Sequence, residues 1–187
     1  MALTPLDPKT ALIVIDLQKG IVSLPTADPI EGVVQKAAAL ASAFRRRGLP
    51  VVLVNVDGGA PGRTEQARRF RDFPEGWTDL IPELDAQASD HRVTKRTWGA
   101  FSHTDLDAYL KGQGATQVVI VGVATSAGVE STARQAHELG FNVALAIDAM
   151  TDMSPEAHAN SVTRIFPRLG ETGTTQAILD QLEAAQA

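Results

Sequence analysis

The sequence predicts an α/β fold: a Rossmann-like three-layer sandwich, with a mostly parallel sheet of about six strands and helices on both faces. Two observations carry this. Short aliphatic runs recur along the chain, as strands buried on both faces require. Segments of helical spacing lie between them, so strand and helix alternate. No repeat or linker interrupts the 187 residues, a length that suits one domain, 1–187, with a single sizeable core.

The first run, TALIVIDLQ (10–18), turns polar at Asp16. GVVQKAAALASAFRRRG (32–48) has helical spacing and stops at Gly48. Its closing Arg45, Arg46 and Arg47 complement the negative end of a helix dipole. LPVVLVNVDGG (49–59) is a second buried run that ends in a turn. The stretch 57–103 is irregular, broken by Gly58, Gly59, Pro61, Gly62, Pro74, Gly76 and Pro82. A short helix is expected near 64–72, and HRVTK towards the end of the stretch is strand-like. TDLDAYLKGQG (104–114) is helical, and GATQVVIVGVAT (114–125) is a third long run. GVESTARQAHELG (128–140) is a helix closed by Gly140, followed by a fourth run, GFNVALAIDAM (140–150). SPEAHANSVTRIF (154–166) opens on an N-cap serine with proline at the first helical position. A last helix spans about 174–185.

In such sheets ligands bind beyond the carboxyl ends of the strands, where strand order reverses. The first run ends at Asp16 and the third at Ala124–Gly128. If the chain winds out and back, these strands are neighbours and the two ends share a pocket.

Composition narrows the function classes. The apolar fraction of 44% and charged fraction of 21% are ordinary for a globular protein. With a net charge of −5 and no basic cluster beyond the arginine triplet, nucleic acid is not an expected partner. Cysteine is absent, which removes disulfides, thiolate metal sites and thiol chemistry. No segment approaches the ~18 apolar residues of a membrane span, and the N-terminal MALTPLDPKT has no apolar signal core. The expectation is a cytoplasmic protein with a small-molecule substrate and no membrane partner. His91, His103, His137 and His158 form no metal spacing, and His137 and His158 read as helix-surface residues. DGGAPG (57–62) lacks the lysine of a phosphate-binding loop. Neither a metal nor a cofactor is expected.

Three positions can carry chemistry. Asp16, at the end of a buried strand, is either a partly desolvated proton donor or acceptor, or a cap for the next turn. Lys95 either orients and charges Asp16 or is solvated on the surface. The turn VGVATSAGVEST (121–132) places helix N-terminal amides where an anion could meet them, unless Gly122 and Gly128 serve only close packing. Ser126 has no histidine nearby in sequence and is not read as a nucleophile. Ala124 and Thr125 in the turn, with Trp98 and Phe101 after Lys95, are the candidates for contacting substrate. Phe73, Trp77 and Trp98 are expected to be exposed in loops.

ALIVIDLQKG, VTKRTWGAFSHTDLDAYLKGQG and VVIVGVATSAGVESTARQAHELGFNVALAIDA, in that order, resemble the three signature blocks of the isochorismatase-like hydrolase family, over about residues 10–182. The resemblance implies that Asp16 and Lys95 are catalytic and that Gly128 occupies the position where thiol members carry their cysteine. It also implies a non-proline cis peptide between Val123 and Ala124, turning the amides of Ala124 and Gly128 towards the pocket. For a member without the thiol it implies acid cleavage of a vinyl ether such as isochorismate, Asp16 protonating the enol carbon and water completing the reaction. A non-catalytic binding member and a cysteine amidohydrolase inactivated at position 128 are the alternatives. Two departures stand out: Gly128 itself, and VNVDGGAPGRTEQARRF after the second run, which is unlike the substrate segment of true isochorismatases. The histidine-rich metal site of nicotinamidases is also missing.

The resemblance further implies a homodimer or higher homo-oligomer. Light scattering at micromolar concentration is expected to give a mass of at least twice 19.8 kDa.

Overall fold

The structure, a computed structural model, describes residues 3–65 and 73–184. The short helix expected near 64–72 lies largely outside the described residues. Six strands form one sheet in the order β3-β2-β1-β4-β5-β6: β1 Thr10–Ile15, β2 Val51–Val56, β3 His91–Lys95, β4 Gln117–Val123, β5 Asn142–Thr151 and β6 Glu171–Gly173. Every pairing is parallel. The sequence expected a mostly parallel sheet, and β6, three residues long, is too short for an aliphatic run to announce it.

The helices are α1 Lys19–Val22, α2 Ile30–Arg46, α3 Leu106–Gly112, α4 Glu130–Glu138, α5 Pro155–Asn160 and α6 Thr175–Ala184. Alternate residues of each strand feed two separate cores. Leu12 and Val14 of β1 pack with Val33, Leu40 and Phe44 of α2 and Ile178 and Leu182 of α6. Ala11, Ile13 and Ile15 pack with Leu106 and Leu110 of α3 and Ala133 and Ala136 of α4. Burial on both faces is why these strands read as continuous aliphatic runs.

Two boundaries and one side-chain role differ from the sequence reading. The helix expected from 128 begins earlier, with a π-helical turn over Thr125–Val129 that runs into α4. The helix expected over 154–166 is divided into α5, a second π-turn Ser161–Ile165, and a 3₁₀ turn Phe166–Arg168. Pro167 explains the last break, because it offers no amide to an α-helix. Finally, Arg45 does more than complement a helix end: its guanidinium holds Asp90 at 2.7 Å and the Leu84 carbonyl at 3.1 Å.

Chain order reverses between β1 and β4, which are hydrogen-bonded neighbours. Their carboxyl ends therefore open on the crevice of a doubly wound sheet. At this seam β4 shifts register against β5 between Ile120 and Gly122. Gly122 has φ +117°, and a Cβ there would collide with the backbone of Ile15. Only glycine lets the two strands approach this closely. Gly122→Ala is expected to cost about 3 kcal/mol or more, through forced separation of β1 and β4. Urea denaturation measures it.

Candidate active site

Asp16 follows β1 directly and takes a left-handed backbone conformation, φ +52°. Aspartate tolerates this region better than most residues. Its amide still pairs with Val54 of β2, and its carbonyl receives the Gln18 amide at 2.8 Å. The chain thus turns sharply out of the sheet at the acid. Gln18, fully buried, secures the turn: its side chain accepts from the Val56 amide at 2.7 Å and donates to the Val56 carbonyl at 3.1 Å. An apolar residue at 18 could not supply this pairing, and sequence reasoning overlooked it.

Lys95 is the last residue of β3, two strands away from β1. Along β3, Val93 and Lys95 are buried while their neighbours are not, so both point to the inner side. The Lys95 ammonium donates to Asp16 Oδ2 at 2.8 Å and to the Thr97 carbonyl at 3.1 Å. Lys95 is 2% exposed and Asp16 5%. The surface reading of Lys95 therefore gives way to the ion pair.

Gly128 sits in the π-turn beyond β4. A Cβ placed on it would lie 3.2 Å from Asp16 Oδ2 and 2.9 Å from Ile15 Cγ2. Asp16, Lys95 and Gly128 are thus gathered around one oxygen atom, Asp16 Oδ2. The other oxygen, Oδ1, is buried with no hydrogen-bond partner.

The electrostatics follow from that burial. The Asp16 carboxyl is raised from 3.8 to about 6, because desolvation pushes it up by more than the charge and hydrogen bond of Lys95 pull it down. Desolvation wins because one oxygen is unsolvated and unpaired, and an ammonium at one side cannot compensate both.

The segment after Lys95 is fixed to α4. The Thr132 hydroxyl donates to the Gly128 carbonyl at 2.7 Å and accepts from the Ala100 amide at 3.1 Å. Gln135 accepts from the Phe101 amide at 3.1 Å and donates to Ser102 at 2.6 Å. Thr104 donates to the Ala100 carbonyl at 2.6 Å. One hydroxyl, Thr132, therefore bridges the segment after the lysine to the turn of the glycine.

The proposed substrate contacts divide. Ala124 and Thr125 lie in the turn, and the Val123–Ala124 peptide is cis. Trp98 stands 68% exposed, next to the Thr97 carbonyl that receives Lys95. The Phe101 ring packs on Phe141, centroids 6.0 Å apart, just before β5. That is the opposite end of the sheet from Asp16, so Phe101 belongs to the core rather than to the site. Phe73 and Trp77, expected exposed, are half-buried and stacked on each other at 4.2 Å. The Trp77 indole lies where a Cβ on Gly20 would be.

Two side chains that the sequence reading left aside also reach the turn. Asp152, 5% exposed, accepts the Ser126 amide at 2.7 Å and the Ser126 hydroxyl at 2.8 Å. His158, read as a surface residue, meets the Thr125 hydroxyl at 2.9 Å through Nδ1. The Ala127 and Val129 amides both donate to the Ala124 carbonyl. Three of the amides offered to an anion, those of Ser126, Ala127 and Val129, are thus committed to the fold. Among the described residues, no group of three or more histidine, aspartate and glutamate side chains is gathered as a metal ion requires. Nor is any helix among them long and apolar enough to cross a membrane.

A buried carboxylate and ammonium lie at the switch point of a doubly wound sheet, under a strand-to-helix turn, where such sheets bind ligands. The comparisons with known proteins specify the class. The Isochorismatase domain matches residues 10–177. An uncharacterized isochorismatase family protein, YwoC of Bacillus subtilis, is 41% identical, over 94% of this chain and 95% of that protein. The solved structure of an isochorismatase family protein from Burkholderia thailandensis superposes with a TM-score of 0.93 at 40% identity, covering 97% of this chain and all of that one. Nicotinamidase 3 of Arabidopsis thaliana is 31% identical, over 81% of this chain and 79% of that protein. The chain belongs to the isochorismatase family of hydrolases.

If Lys95 restrains the Asp16 pKa, Lys95→Met is expected to raise it further, above about 6, because only desolvation remains. Carbon-13 NMR titration of the Asp16 carboxyl follows the midpoint directly.

Proposed function

We propose that this chain hydrolyses a small anionic enol ether of the isochorismate type, with Asp16 as the acid and water as the nucleophile. The observation that carries the reading is the buried Asp16 carboxyl with a pKa of about 6, its Oδ2 facing the bare α-carbon of Gly128. A carboxyl poised there is a proton donor near neutral pH. A chain with no cysteine cannot form the thioester that amide cleavage by thiol members would use.

The steps balance without a nucleophilic side chain. Protonated Asp16 gives its proton from Oδ2 to the terminal carbon of the vinyl group. The π electrons form the new C–H bond, and the ether oxygen shares the resulting positive charge. Asp16, now a carboxylate beside Lys95, stabilises that cation. Water adds to the cationic carbon and its proton returns to Asp16. The hemiketal then collapses to a ketone and an alcohol. Lys95 keeps its hydrogen bond to Oδ2 and holds the acid in place throughout. Gly128 places no side chain against the acid oxygen.

A second reading is a binding protein with no turnover. The commitment of the Ser126, Ala127 and Val129 amides to the fold favours it, since fewer donors remain for a reacting anion.

Three measurements separate these readings. With a carboxyvinyl ether as substrate, kcat/KM is expected to fall about tenfold per pH unit above pH 6, as the acid form is lost. Asp16→Asn is expected to reduce turnover by about 10²- to 10⁴-fold, with ligand binding retained in calorimetry. Gly128→Cys is expected to lower native turnover by about 10- to 100-fold, because its Cβ crowds Asp16 Oδ2 and Ile15. Turnover that survives Asp16→Asn undiminished excludes acid catalysis, and binding without turnover by the unaltered protein supports the second reading.

A further inference from the structure

We infer that His158 is a positioning residue for the turn over Asp16, acting through the Thr125 hydroxyl in a way that depends on whether its imidazole is protonated. This rests on the placement of the active site at Asp16 and Gly128.

Thr125 opens the π-turn that carries Gly128 and is completely buried. A buried hydroxyl needs an acceptor for its proton. The partner that meets Thr125 Oγ1 is His158 Nδ1, at 2.9 Å. His158 lies on α5 and is half-buried. With the imidazole neutral and its proton on Nε2, Nδ1 has a free lone pair and receives the Thr125 O–H. Protonation places a hydrogen on Nδ1. The contact then reverses: the imidazolium donates to Oγ1, and the Thr125 O–H must rotate away, back into its own turn. Asparagine at 158 offers an oxygen near the Nδ1 position and does not titrate.

This contact is one of three that join the segment after β5 to the turn. Asp152 holds Ser126, His158 holds Thr125, and the Ser161 hydroxyl donates to Glu130 Oε2 at 2.6 Å. The charged groups on the elements around His158 already have partners or lie in solvent. Asp152 is held by Ser126 and Ser154, and Glu130 by Ser161 and Arg134. Glu156 accepts from Ser154, and Arg164 is exposed. Of the three contacts, the one at Thr125 is the contact whose donor and acceptor exchange places on titration of a histidine. Thr125 and Gly128 lie three residues apart in the same five-residue π-turn, so the hydrogen bond that anchors its first residue bears on the placement of Gly128.

The test uses the whole protein without substrate, so it stands apart from the enol-ether reading. Nitrogen-15 NMR follows the amides of Thr125, Ser126 and Gly128 against pH, with the His158 ring protons recorded alongside. The expected result is that all three amides shift with the same midpoint as the His158 ring. His158→Asn and Thr125→Val are each expected to abolish that transition while leaving the Asp16 carboxyl titration visible. A third variant, Thr125→Ser, keeps the hydroxyl and is expected to restore it. Amide titration that persists in His158→Asn, or turn amides that ignore the ring midpoint in the unaltered protein, would overturn the assignment. A failed turnover assay, by contrast, bears on the reaction and leaves this result standing.

Discussion

The Asp16–Lys95 ion pair is the constraint around which the rest of the site is built. Two opposite charges, each about 95% or more buried, lie 2.8 Å apart, and their strands are separated by a third. Burial of ions is costly unless geometry and further hydrogen bonds compensate. Lys95 is served by the Thr97 carbonyl as well as by the carboxylate, whereas Asp16 leaves one oxygen unpaired. The imbalance falls on the acid. It is why the carboxyl, though paired with an ammonium, holds its proton to a higher pH than an ordinary aspartate.

Glycine makes the enclosure possible at two points. At 122 the missing Cβ lets β4 lean against Ile15, and at 128 it leaves Asp16 Oδ2 uncovered by a side chain. The first is a condition of the fold, and the second leaves the acid without a side chain over it. Ile15 touches both positions, so the packing of one core residue couples the strand seam to the space over the acid. The same economy shows in Thr132, whose hydroxyl serves the turn on one side and the lysine segment on the other.

Much of this was legible in the sequence. The aliphatic runs marked β1, β2, β4 and β5, and their polar endings marked Asp16 and the turn at Ala124–Gly128. Lys95 was only partly legible: the sequence offered either a partner for Asp16 or a solvated surface lysine, and with 79 residues between the two, spacing could not choose. Asp152 has the same signature as Asp16, a carboxylate just past a strand end. It was passed over because β5 runs to Thr151, one residue beyond the aliphatic run recognised in the sequence. His158 could not be assigned to a face: α5 is six residues long, and the π-turn after it shifts the helical period. Phe101, close to Lys95 in sequence, packs instead on Phe141, because its segment folds back on α4 through Gln135.

The acid strength of Asp16 is also a record of assembly. β1 to β3 alone would bring Lys95 beside the carboxylate but leave it wet, and a wet aspartate next to an ammonium is a weaker holder of protons than an ordinary one. The upward shift exists only once β4 and its turn, more than 100 residues along the chain, are laid over the first strand. Such long-range closure is the slow part of building a parallel sheet. The unusual acid is therefore a property of the closed β1–β4 seam and not of the first three strands.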